Sequence, residues 1–178
     1  MKRFLAVVIA VVVVTSLVSA QSTWGQGLKA WGGGLELSLP TGDLGNVVGV
    51  GVGPFAKFQY GINEDIALIG SLGYTYWTKK TVNSYDWTAS AVPLLVGAKY
   101  NLSKQVTPGF YGFAEIGFYF FSTSASYGGY TISGSATDFV IAPGVGYEFG
   151  NFDASLKYVI NGDVSDFAVR IAYQVPLH

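Results

Sequence analysis

The chain has 178 residues, with 11 acidic and 10 basic side chains, one histidine, no cysteine and a formal net charge of −1. That balance gives nucleic acid nothing to bind, and the lack of cysteine excludes disulfides, thiolate metal sites and lipid attachment at a processed cysteine. Charged residues are only 12% of the chain, half the roughly 25% of an ordinary soluble domain, and glycine, at 24 positions, is about twice as frequent as usual.

The opening stretch, MKRFLAVVIAVVVVTSLVSAQS, sets Lys2 and Arg3 before an apolar run and ends in small residues at Val18, Ser19 and Ala20. This is the layout of a secretory signal. The run from Phe4 to Val18 falls short of the roughly 20 residues a spanning helix needs. Residues 1–20 are therefore expected to be cleaved, leaving 21–178 as a single domain. Losing Lys2 and Arg3 leaves eight basic against eleven acidic residues. Beyond the signal no apolar run exceeds about eight residues, Ala91 to Ala98 being the longest, so a helical span is excluded. A closed β-barrel remains as the membrane option.

Period-2 alternation, cut by turn residues, predicts eight strands near 30–40, 49–61, 65–77, 89–101, 108–121, 138–149, 152–160 and 166–177. Their connections alternate in length. Ile62–Glu64, Leu102–Thr107 and Gly150–Asn151 are short, whereas Ser122–Thr137 and the segment near 78–88 are long. Short turns on one side and longer loops on the other are the outer-membrane barrel layout. Pro54, Pro93 and Pro143 fall inside strands, where each removes a ladder hydrogen bond, so bulges or local breaks are expected there.

Parity separates two faces. In the strand near 108–121, Phe110, Ile116, Phe118 and Phe120 share one face, while Glu115 lies on the other with Tyr111, Phe113, Tyr119 and Phe121. The other strands divide likewise, and Glu36, Lys57, Lys99, Glu115, Glu148, Asp153, Lys157 and Arg170 are all assigned to the glycine-rich, polar face. Turned outward, that face would be undercharged for a soluble surface. Turned toward lipid, its four cations would each cost about 2–4 kcal/mol near the midplane, together about as much as a domain's whole stability of roughly 5–15 kcal/mol. The eight charges are therefore expected inside, as a network of four acids and four bases. Barrel closure would set Arg170 beside Glu36, with Lys57 on that glutamate's other flank, and Lys99 on the strand next to Glu115. Aromatic girdles are expected from Tyr60, Tyr100, Phe149, Phe152 and Tyr173 at the short-turn end, and from Tyr76, Trp77, Trp87, Phe120, Phe139 and Phe167 at the other.

The segment VPLLVGAKYNLSKQVTPGFYGFAEIGFYF, Val92 to Phe120, with weaker echoes in GPFAKFQYG and APGVGYEFG, resembles the bacterial outer-membrane β-barrel domain family that includes the OmpA transmembrane domain, OmpX and OmpW. The resemblance implies an eight-stranded antiparallel up-and-down transmembrane β-barrel with short periplasmic turns and longer outer loops. It also implies a bacterial outer-membrane location, a polar and often salt-bridged interior, and dependence on the barrel assembly machinery. Family members usually end in an aromatic residue; this chain ends YQVPLH, so Tyr173 would stand in or the last residues form an extension.

An eight-stranded barrel is just wide enough to be filled by side chains. A structural or surface-interaction protein with a closed lumen is the expected function, monomeric in outer-membrane lipid, with Tyr85, Trp87, Tyr127 and Tyr130 as candidate loop contacts. The alternative is a narrow, gated pore for ions or small solutes. No cofactor is expected. The only histidine is His178, so His-based acid–base chemistry has no owner and an enzyme is not expected.

Overall fold

The computed structural model describes residues 26–27, 29–103, 109–161 and 164–177. The expected signal, most of the Leu102–Thr107 turn and His178 lie outside the described residues. In chain order the elements are β1 (Lys29–Thr41), α1 (Gly42–Val47), β2 (Gly51–Gly61), β3 (Ile66–Gly73), β4 (Thr75–Val82), β5 (Tyr85–Asn101), β6 (Gly109–Tyr127), β7 (Tyr130–Phe149), β8 (Phe152–Val159) and β9 (Val164–Leu177). β3 and β4 are halves of one stave interrupted at Tyr74, so the sheet has eight staves. Every ladder is antiparallel, and β1 pairs with both β2 and β9, which closes the barrel.

Register fixes the shear. From Gly144 the ladders lead through Lys157, Ala168, Ser38, Gly51, Trp77, Ala89 and Thr123 to Gly134, ten residues from the start on the same strand. A stagger of that size tilts the strands by about 35–45° and leaves an interior that side chains fill.

The prolines break ladders without shifting them. Pro54 and Pro93 flank the interruption at Gly73–Tyr74 from either side, yet pairing resumes beyond it with unchanged register on both neighbours. At Pro143 the β7–β8 ladder stops at Gly144–Lys157 and reappears in register as an isolated Ile141–Ile160 bridge. No bulge forms at any of the three, because a missing N–H removes one bond while the opposite ladder of the same strand runs on. The register shift among these ladders lies instead between Trp77 and Lys80.

Two segments expected as loops are strand. β4–β5 turns tightly at Asn83 and Ser84, both with positive φ, and β6–β7 at Gly128 and Gly129. The strands around these turns project past the barrel as a continuation of its sheet. Their sequence hid this because both faces meet water there, so serine and threonine replace the apolar alternation that marks a strand. The first outer connection holds α1.

Outward parity is apolar throughout: Trp31, Leu35, Leu68, Val96, Ile116, Phe118 and Ile171 are all exposed. Tyr60, Tyr100, Phe149 and Phe152 form an exposed girdle near the short turns, with half-buried Tyr173 against Phe152, ring centroids 5.2 Å apart. Tyr76, Phe120, Phe139 and Phe167 form the other. Trp77 and Trp87 do not belong to it. Trp77 is 1% exposed inside the barrel, and Trp87 lies on the lumen side of the projecting sheet, since both sit at odd, inward positions of their strands.

Candidate functional site in the barrel lumen

The tilt and stagger bring inward residues from neighbouring and from more distant strands into contact. Glu36 of β1 accepts from Arg170 Nε of β9 at 2.5 Å and from Lys157 Nζ of β8 at 3.0 Å. The same guanidinium donates from Nη1 to Glu115 Oε2 of β6 at 2.9 Å, and Ser71 Oγ donates to Glu115 Oε1 at 2.8 Å. One arginine thus bridges two carboxylates, the arrangement its rigid fork suits.

Toward the short turns lies a second group. Lys57 Nζ holds Asp153 at 2.8 Å and Lys99 Nζ pairs with Glu148. Tyr111 Oη donates to Asp153, and Gln174 Nε2 reaches both Glu148 and Asp153 at 2.9 Å. Lys99 also stands 4.7 Å from the centre of the Tyr111 ring, and the Arg170 guanidinium 4.7 Å from that of Phe55, which adds cation–π attraction. The structure therefore brings all eight expected charged residues into the lumen. Arg170 and Glu36 pair as register suggested, whereas Lys57 pairs with Asp153 rather than flanking Glu36, and Lys99 reaches Glu148 rather than Glu115. Both differences arise because the contacts cross the lumen, where the shear, not ladder adjacency, decides who meets.

Glycine makes the filling possible. A Cβ at Gly146 would lie 2.3 Å from Tyr111 Cζ and one at Gly144 2.4 Å from Phe113 Cζ, so the inward rings rest on bare backbone of the next strand. Phe55, Leu95, Tyr111, Phe113, Tyr119 and Phe121 are all buried. Between Lys57, Glu115, Asp153 and Arg170 remains a cavity of about 10 Å³, the room that about one water requires.

The outer end of the lumen is apolar. Leu44 of α1 and the adjoining Val48 pack with Trp77, Tyr119, Phe121 and Val140. Asp166 lies at this end, 2% exposed; it accepts from Ser38 Oγ at 2.6 Å, and Ser38 in turn accepts from Trp77 Nε1 at 3.0 Å. Sequence reasoning missed Asp166, although its parity with Ala168 and Arg170 places it inward. Outside, Tyr85, Trp87, Tyr127 and Tyr130 share the lumen-side face of the projecting sheet, and the Tyr85 and Tyr127 rings lie 5.0 Å apart. On its opposite face Asp86 accepts from Lys79 Nζ at 2.7 Å and Thr81 Oγ1 at 2.6 Å. Those hydrogen bonds hold the Asp86 carboxyl below its ordinary pKa. Among the described residues no cluster of three or more His, Asp or Glu is placed to hold a metal.

Among solved structures, the chain is similar to Ail, the attachment invasion locus protein of Yersinia pestis, at 20% identity over 84% of this chain and 99% of that one, with a TM-score of 0.59. It is also similar to the outer membrane protein OprG of Pseudomonas aeruginosa, at 11% identity over 86% and 97%, TM-score 0.58, and to the N-terminal β-barrel domain of OprF from the same organism, at 15% identity over 85% and 99%, TM-score 0.50. No curated protein sequence matches. These likenesses and the closed eight-stave sheet establish the fold as that of the bacterial outer-membrane barrels. A family model described as the putative MetA pathway of phenol degradation matches residues 5–175, nearly the whole chain, and the chain belongs to that family.

Proposed function

We propose that the chain, exported by its first 20 residues and inserted by the barrel assembly machinery, serves in outer-membrane lipid as a monomeric, non-catalytic barrel. Its lumen is closed by ion pairs, and its outer hairpins do the contacting. The residual cavity of about 10 Å³ among the central charges carries this reading, because an open pore needs a continuous file of water and this space admits about one molecule. Tyr85, Trp87, Tyr127 and Tyr130 would supply the contact surface, as rigid rings that bury area at small entropic cost. Planar-bilayer recording of the refolded protein tests it: silence is expected, and unitary conductance steps would contradict it.

A second reading has its own support. The family description concerns phenol degradation, and the outer end of the lumen is an apolar layer roofed by a loop helix rather than an ion-paired plug. On this reading the barrel admits small aromatic solutes through its outer mouth. The rate of labelled phenol uptake by cells with and without the chain tests it, and equal rates would contradict it.

A further inference from the structure

The apolar layer differs from an ordinary core in two respects. Its roof, α1, is only six residues long and has no side-chain hydrogen bond at its N-cap. It is held by buried Leu44, by Val47 packed against the same cluster, and by Lys80 Nζ donating to Gly45 O at 2.7 Å in an exposed position. Its floor contains Asp166, which among the described residues forms no ion pair, unlike Glu36, Glu115, Glu148 and Asp153. The bond it accepts comes from the neutral Ser38 hydroxyl. A carboxylate offers about four acceptor positions, and in apolar surroundings a further donor is favoured strongly.

We propose that this layer is a binding site for a small aromatic alcohol of the phenol class. Its ring takes the place of Leu44 and Val48 against Trp77 and Phe121, and its hydroxyl donates to Asp166. The proposal rests on the aromatic-solute reading above. Trp77 and Phe121 are already stacked, centroids 5.9 Å apart, and offset stacking is the geometry a third ring extends. Lys157 and Arg170 are already engaged by Glu36 and Glu115, so the acceptor left for the guest's hydroxyl at this end is Asp166. Phe121 and Trp77 supply ring faces, Asp166 supplies direction, and α1 excludes water once it closes over the guest.

The test uses the full chain in lipid nanodiscs, with the other three tryptophans changed to phenylalanine so that Trp77 alone reports. Titration with phenol is expected to change Trp77 fluorescence saturably. Leu44→Ala, which loosens the roof, should tighten binding about fivefold, and Asp166→Asn should weaken it about fivefold to tenfold, since a charge-assisted bond becomes a neutral one. A heat-modifiable gel shift verifies that each variant keeps its barrel. No saturable response in either the parent or Leu44→Ala, or an unchanged affinity in Asp166→Asn, would overturn the site. Binding without any effect on cellular phenol uptake would contradict passage while leaving the site standing; uptake without a Trp77 response would do the reverse.

Discussion

Arg170 of β9 reaches Glu115 of β6 across the lumen, Nη1 to Oε2 at 2.9 Å, although two strands separate theirs in the sheet. The contact ties opposite walls of the barrel together through one planar cation that also holds Glu36.

Truncating that cation leaves two buried carboxylates short of a partner. Arg170→Ala is expected to cost about 3–5 kcal/mol, the scale for breaking a buried pair. Arg170→Lys recovers part of this, because a point charge cannot bridge Glu36 and Glu115 together. Urea unfolding in lipid vesicles, followed by the heat-modifiable gel shift, measures both; a loss below about 1 kcal/mol for Arg170→Ala, the scale of a surface pair, would show that the network is not a structural tie.

The rings that fill the lumen depend on glycine opposite them. Gly146→Ala puts a methyl carbon where the Tyr111 ring lies, which pushes the tyrosine off Asp153. Overpacking of this kind costs about 1–3 kcal/mol. Tyr111→Leu combined with Gly146→Ala should recover most of the packing loss, and equal stability of the single and double variants in the same assay would contradict the fit.

On the exterior the sign of the effect depends on hydrocarbon. Val96, exposed at 58% on the outward face, is expected to tolerate leucine. Arginine there should cost about 2–4 kcal/mol near the midplane. Folding efficiency into vesicles reports this directly, and free acceptance of arginine would mean that water wets this face.

The projecting β4–β5 hairpin carries a pH dependence outside the membrane. Asp86 is stabilised as the anion by hydrogen bonds from Lys79 and Thr81. Its folded pKa therefore lies below the unfolded value of about 3.9, and the contribution to hairpin order is present above that value and lost as pH falls through the lowered one. Amide exchange of Thr81 and Asp86 should stay slow down to about pH 4 and quicken below it. In Asp86→Asn the exchange should be quick and nearly independent of this pH range apart from intrinsic rates; an unchanged profile in the variant would remove Asp86 from the account.

Much of the architecture was legible in period-2 alternation, because lipid outside and a crowded lumen inside impose opposite demands on successive residues. Lys57, Lys99, Lys157 and Arg170 could be assigned to one face for that reason alone. Their partners could not be read so easily: ladder adjacency suggested Glu115 for Lys99, but cross-lumen contacts follow a ten-residue stagger that no local pattern encodes. Ser122–Thr137 escaped recognition as strand because above the membrane both faces are wet and the alternation disappears. Trp77 was misplaced by a different error, a residue type typical of girdles overriding its own parity. Asp166 went unnoticed because it precedes Phe167, where the apolar alternation first becomes clear, although the parity it shares with Arg170 was available.

The central claim is that hydrocarbon wets the outward face while the lumen side is sealed from lipid, and two tryptophans test it together. Trp31 is 55% exposed on the outward face and Trp77 is 1% exposed inside. In vesicles whose acyl chains carry bromine, a protein with Trp31 as its sole tryptophan should be strongly quenched and one with only Trp77 barely affected. Quenching of Trp77 by the brominated chains, or of Trp31 by aqueous iodide in their place, would contradict the account.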